Sequence, residues 1–274
     1  MQRGILPPAV DRHLSARYIA TGRDLGEWVH RDFTYQAFLN AALILLELGA
    51  SPDTANPYLG SPTQAGFVTF GAADVLDLVA RVANLALKAT WYQKWVVHRT
   101  LRPEALGGRV HHHLTGAARY PLHPDLLTGS EAPRRVFSQC GSYLLPVAYA
   151  EGSPAHPSYP AGHASVAGAC ATVLKAFFDE SALIPDPVEA SPDGQRLKPF
   201  RRRQLTVGGE LNKLASNVGF GRSFAGVHYR SDCAAGLQLG ETVALRLLAE
   251  LRPTYAEPFV GFSLTCFDGA RVTF

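Results

Sequence analysis

The sequence predicts an all-α fold, a helix bundle with long functional loops. Three observations predict it. Apolar residues recur at helical spacing in several long stretches. Strand-like alternation is scarce, and the intervening segments are longer than ordinary connections and rich in Pro and Gly. The 274 residues are 47% hydrophobic and 18% charged, a profile that builds a sizeable core, and one helical domain is expected over residues 1–274. A net charge of +3 is too mild to imply nucleic acid as a partner.

From Leu25 to Leu48 the apolar positions follow helical spacing, and Gly49 is a suitable stop. Residues 51–69, rich in Pro, Gly, Ser, Thr and Asn, read as a loop. A second helical pattern runs from Ala72 to about Leu101 and ends before Pro103, because the residue preceding a proline avoids the helical region. Residues 103–135 read as loop. They include His111-His112-His113, a tract without spaced carboxylate or thiolate partners, expected to be solvated rather than metal-binding. Val136 to Val147 is a short candidate helix. Ala161 to Phe178, introduced by Pro160, is a strong one. Residues 182–205 form a polar connection containing the basic run Arg201 to Arg203. Leu205 to about Gly219 reads as helix. Asp232 to Leu251 is the last helix, with Ser231 or Asp232 as its N-cap.

The first residues, MQRGILPPAVDRHLS, lack a signal peptide's apolar core. No stretch approaches the ~18 uninterrupted apolar residues of a membrane span, so the chain is expected to be soluble. Cys140, Cys170, Cys233 and Cys266 form no CxxC pair and are expected as buried free thiols.

Three clusters carry chemistry. In the first, Lys94, His98 and Arg102 are spaced i, i+4 and i+8, which puts them along one face of a helix. Lys and Arg aimed at a common point bind an oxyanion, one as a point charge and the other as a planar fork of donors. The second cluster, His156-Pro157-Ser158-Tyr159-Pro160-Ala161-Gly162-His163, leads into an apolar helix. Free N–H groups and the helix dipole favour an anion there, Gly162 admits close approach, and His163 can trade a proton. The third contains Arg222, His228 and Asp232. Asp232 can accept one ring N–H of His228 and leave the other nitrogen free as ligand or nucleophile. Taken alone, each cluster also reads as a solvated basic face, a capped helix or a loop. Together they describe a pocket for a trivalent tetrahedral oxyanion, phosphate or vanadate.

The pattern Lys94-x7-Arg102-Pro103, Pro160-x-Gly162-His163 and Gly221-Arg222-x5-His228-x3-Asp232 resembles the phosphatidic-acid-phosphatase type 2 and vanadium haloperoxidase superfamily. WVVHRTLRPEALGG, HPSYPAGHASVAGA, GVHYRSD and GRDLGEWVHRDFTYQAFLNAALILL look most like the algal and bacterial vanadium bromoperoxidases, from about residue 20 onward. The Lys-to-Arg spacing is the longer form found in that branch. The resemblance implies that His228 is the axial ligand of vanadium and that Lys94, Arg102 and Arg222 neutralise the vanadate oxygens. It implies that the Gly162 amide donates to one oxygen and that His163 is the acid–base residue. His156 stands where bromoperoxidases carry His and chloroperoxidases Phe. Trp91 matches an aromatic near the halide, or is a core tryptophan on an apolar helix face.

The implied reaction is oxidation of bromide or iodide by hydrogen peroxide to hypohalous acid, which halogenates a small organic acceptor, with phosphate as a competitor of vanadate. Two departures stand out. Ala161 replaces the family's usual Ser, removing one hydroxyl donor to the anion, a loss of roughly 1.5–3 kcal/mol. Algal relatives are also about twice as long, so the chain resembles their C-terminal half, and a homodimer or larger homo-oligomer is expected. Two other readings use the same residues. One is a soluble acid phosphatase with His228 as nucleophile and His163 as acid. The other is a non-catalytic oxyanion-binding module.

Overall fold

The computed structural model describes residues 17–274. The N-terminal stretch assessed for a signal peptide lies outside the described residues, as does that part of the expected single domain. The fold is all-α, with helices α1 (Gly22–Arg31), α2 (Gln36–Glu47), α3 (Ala72–Tyr92), α4 (Pro103–Leu114), α5 (Ala132–Cys140), α6 (Gly162–Phe177), α7 (Val207–Phe224) and α8 (Arg230–Leu251). Two short antiparallel hairpins accompany them. β1 (Val188–Ala190) pairs with β2 (Leu197–Pro199), and β3 (Ser263–Thr265) pairs with β4 (Arg271–Thr273). No helix among the described residues is long and apolar enough to cross a membrane.

The expected helix from Leu25 to Leu48 is two helices. α1 starts from a capping box, in which Asp24 N–H donates to Thr21 Oγ1 and the Asp24 carboxylate accepts from Thr21 N–H at 2.9 Å. It ends where Asp32 turns extended, with φ −67° and ψ 152°. The Asp-Phe-Thr-Tyr run at 32–35 has weak helix propensity, and the chain turns there before α2. The second expected helix also stops early. α3 passes into a π-helical turn, Gln93–His98, closed by Arg99 N–H donating to Lys94 O. Arg99 is left-handed at φ 50°, so the helix ends before Arg102. The i→i+5 step breaks the 3.6-residue period. Lys94 is therefore buried, whereas His98 is exposed against the Tyr159 ring.

Further expectations are corrected. The 103–135 segment holds α4, a π-helical turn at Asp125–Gly129 and the start of α5. His111 to His113 thus lie in the last turn of α4, where the dipole favours them, and not in a loop. The Val136 to Val147 helix stops at Cys140, because Gly141 adopts φ 66°. α7 continues to Phe224 and carries Arg222 in its last turn, and Tyr229 rather than Ser231 or Asp232 caps α8. Of the cysteines, Cys170, Cys233 and Cys266 are buried free thiols, while Cys140 is exposed.

α6 lies at the centre. Every residue from Ala164 to Phe177 is buried, with α8, α3 and α7 packed around it. Val75, Val79 and Val82 of α3, Val166, Val173 and Leu174 of α6, and Leu211 and Val218 of α7 share one core. The α6–α8 crossing is backbone on backbone. A Cβ on Gly240 would lie 1.9 Å from Ser165 O, and one on Gly236 would lie 2.7 Å from Ala161 O. The crossing brings the two helix starts together, and Ala161 N–H donates to Asp232 O at 2.9 Å. At the far end, the buried Lys175 ammonium donates to Thr265 O and lies over the Phe267 ring, fastening the β3–β4 hairpin to the bundle.

Gly240→Ala is expected to destabilise the fold by about 3 kcal/mol through forced separation of the two backbones. Gly108→Ala, in α4 with open space around the added methyl, is expected to gain roughly 0.5–1 kcal/mol. Urea midpoints at constant slope measure both. Equal midpoints for the two variants would show that the crossing accommodates a side chain.

Candidate active site

The sequence-derived residues meet where α6 and α8 begin. Lys94, 0% exposed, donates from Nζ to Pro157 O at 2.5 Å and Ser158 O at 2.8 Å. Arg102 donates from Nε to His156 O at 2.9 Å and from Nη1 to Val227 O at 2.8 Å. Its Nη1 also lies 2.9 Å from His228 Nε2, and its Nη2 lies 3.1 Å from His156 Nδ1. Arg222, 7% exposed, donates from Nη1 to Val29 O at 2.8 Å and to the Tyr149 hydroxyl at 3.0 Å, with its guanidinium over the Tyr149 ring. Among the described residues, none of these three cations is paired with a carboxylate. All their partners are carbonyls, a phenol or imidazole. The positive charge therefore stays available to an anion, and Arg222 Nε is buried without a partner.

His228 is oriented from behind. Its Nδ1 lies 2.9 Å from Asp232 Oδ2, an acceptor, so the ring proton belongs on Nδ1 and Nε2 carries the lone pair. Ser158 Oγ donates to the same carboxylate oxygen at 2.5 Å, and Tyr229 N–H donates to it at 3.0 Å. α6 supplies the other wall. Gly162 is its first residue, preceding the first intrahelical bond from Ser165 N–H to Ala161 O, so its amide belongs to the unpaired start of the helix. His163 Nε2 lies 2.9 Å from Asp32 Oδ1, which leaves Nδ1 as the free nitrogen. Trp91 rests on the His156 ring at 4.8 Å and beside Gly162. It is 42% exposed, which rules out the core reading.

Electrostatics follow from this packing. Burial, with Arg102 and Arg222 nearby, pushes the Lys94 ammonium down to about 7. Burial and Arg222 bring Arg102 to about 10, still charged at neutrality. Burial, Arg102 and Lys94 bring His156 to about 3, so it is neutral. Burial holds His163 below the usual imidazole range despite Asp32. His228 is likewise lowered by burial, against the pull of Asp232. Burial raises Asp232, but hydrogen bonds from His228 and Ser158 outweigh it and keep the carboxyl ionised. These cations repel one another, and a bound anion relieves the repulsion.

The structure thus gathers Lys94, Arg102, His156, Gly162, His163, Arg222, His228 and Asp232, and leaves out His98. It adds Ser158, Asp32 and Tyr149. Tyr149 donates to Gly26 O at 2.7 Å and stacks on His30 at 3.8 Å, which fixes the ring beneath Arg222. Asp32 and Ser158 stood inside the quoted motifs but had only their polarity to mark them. Tyr149, in an apolar run, had no local signal.

A family model described as the VCPO second helical-bundle domain matches residues 128–255. The vanadium-dependent bromoperoxidase of Corallina pilulifera is 46% identical over 94% of this chain and 46% of its own length. That of Ascophyllum nodosum is 43% identical over 96% of this chain and 49% of its own length. The chain belongs to the vanadium haloperoxidase family. A solved homohexameric vanadate-dependent bromoperoxidase from Ascophyllum nodosum superposes with a TM-score of 0.82 at 32% identity, covering 94% of this chain and 49% of that one. This member of the family spans about half the length of the curated relatives it matches. No group of three or more His, Cys, Asp or Glu able to hold a metal cation occurs among the described residues. The haloperoxidase oxyanion is instead matched by the donor set already described, including the unpartnered Arg222 Nε.

A bound anion would favour the charged form of Lys94. Inorganic phosphate binding at about pH 8.5, above phosphate's own titration, is therefore expected to take up about one proton. Affinity is expected to fall as pH rises through about 7, where Lys94 loses its proton. Titration calorimetry in buffers of different ionisation enthalpy measures the uptake. No uptake would mean that Lys94 is already charged before the anion arrives.

Proposed function

We propose that the chain is the catalytic unit of a vanadate-dependent bromoperoxidase that oxidises bromide, and iodide, with hydrogen peroxide to hypohalous acid for halogenation of organic acceptors. The observation that carries this reading is the set of three buried cations held only by neutral acceptors around a neutral His228 Nε2. The names of the half-matched relatives give it its chemistry.

When bound, vanadate supplies Lewis-acid activation of peroxide toward halide. The protein residues do the rest. His228 Nε2 would hold the group, and Asp232 holds the tautomer that leaves it free to do so through Nδ1. Lys94, Arg102 and Arg222 neutralise the oxyanion's charge, and the Gly162 amide donates to one oxygen. His163, with Nε2 held by Asp32, would serve as the acid–base group, holding or releasing a proton at Nδ1 beside the bound oxyanion. His156 and Trp91 form the rim at which halide arrives, His156 held neutral by burial and the adjacent cations. The acid-phosphatase reading uses the same cations, with phosphate in place of vanadate. The homohexameric relative supports assembly of several copies, at least a homodimer.

Purified apoprotein with bromide and peroxide is expected to halogenate a phenol dye only after orthovanadate is added, and excess phosphate is expected to suppress the reaction. His228→Ala is expected to abolish this activity while the far-ultraviolet dichroism stays unchanged. Vanadate-independent turnover of a phosphate monoester, without halogenation, would assign the chain to the phosphatases. Near-wild-type halogenation by His228→Ala would overturn the ligand assignment.

A further inference from the structure

A cleft of about 530 Å³ opens beside the oxyanion pocket and shares Arg102 and His156 with it. Trp95, Leu101, Ala105 and Pro154 give it apolar walls, within the size range of small-molecule sites. Arg99 stands in the same wall. Its backbone is left-handed, φ 50° and ψ 36°, a sparsely populated state for a non-glycine residue. Two bonds hold it there: Arg99 N–H to Lys94 O, and its Nε to Trp95 O at 2.9 Å. Among the described residues its guanidinium has no carboxylate partner. The carboxylate of Glu104, also in the cleft, is engaged by Ser153 N–H at 2.6 Å. Ser153 lines the cleft too, and its Oγ is buried without a partner.

We propose that this cleft binds an aromatic carboxylate, with the ring against Trp95 and Leu101 and the anion on Arg99, and that it is the docking site of the organic acceptor. Apolar walls next to two guanidinium groups select a flat apolar body bearing a negative charge. The role as acceptor site rests on the haloperoxidase reading. In that role the ring carbon attacks bromine of hypobromous acid. The C–Br bond forms, the O–Br pair leaves as hydroxide, and hydroxide takes the ring proton to give water.

The test is calorimetric titration of phosphate-saturated protein with 4-hydroxybenzoate and with its methyl ester, without peroxide or halide. One site per chain is expected for the acid, with at least tenfold weaker binding of the ester. Arg99→Gln is expected to bring the acid to the ester's affinity, and Arg99→Lys to restore most of the difference. Equal affinity of acid and ester, or an acid affinity unchanged in Arg99→Gln, overturns the proposal. So does loss of acid binding on saturation with phosphate, which would place the carboxylate in the oxyanion pocket. These titrations contain no oxidation chemistry. Failure of halide oxidation would remove the acceptor role and leave the measured site standing.

Discussion

Everything at this site depends on buried positive charge that, among the described residues, is paired directly with no carboxylate. Taking an ion out of water costs several kcal/mol even after relaxation, and proteins ordinarily recover that by pairing opposite charges. Here Lys94 is held by two carbonyls, Arg102 by two carbonyls and two imidazoles, and Arg222 by a carbonyl and a tyrosine. Those partners orient the donors without cancelling their charge. Burial first, and the neighbouring cations second, depress Lys94 and keep His156 neutral. A pocket of this kind is unstable toward its own protonation until an anion enters, which makes anion binding the event that completes it.

The α6–α8 crossing sets the geometry. Glycines at 236 and 240 bring α8 against the backbone of α6, and the Ala161 to Asp232 bond locks the two N-termini. The start of α6 contributes amides, and the start of α8 contributes the Asp232 carboxylate behind His228. Had the helices been spaced by ordinary side chains, about 8–10 Å apart, the two could not serve one anion so directly. The same crossing bears on Ala161. Its side chain is fully buried with Ala164 and Cys233, so the position is as much a packing site as a donor site. The missing hydroxyl leaves the anion to the three cations and the helix amides.

Much of this was legible in the sequence. Pro160, Gly162 and the apolar run after them announce the start of α6, and the i, i+4 spacing of His228 and Asp232 announces their hydrogen bond. The π-helical turn was not legible. An i→i+5 bond leaves no compositional mark, so a face drawn at 3.6 residues per turn wrongly included His98. Arg102 still reaches the pocket, from the extended residue before α4. Asp32 and Tyr149 were hidden for another reason. Asp32 meets His163 across 131 positions, and Tyr149 meets Arg222 across 73. Such pairings are made by the fold, and no local pattern carries them.

The cations do not by themselves separate vanadate from phosphate, since both are tetrahedral oxyanions of similar charge. The distinction must come from what surrounds them. A phosphatase needs room for a leaving group and a proton donor aimed at it. At this rim stands His156, neutral and tilted against Trp91. His163 would protonate a leaving alkoxide in the phosphatase reading just as it serves peroxide in the other, so it is the rim that differs. The His156 and Trp91 rings give a partly exposed, polarisable surface suited to a large, weakly hydrated halide. The adjoining cleft extends that surface toward an organic molecule, so that oxyanion, halide and acceptor would meet along one wall formed by His156 and Arg102. That sharing of His156 and Arg102 between pocket and cleft is the structural ground on which the proposed oxidation rests.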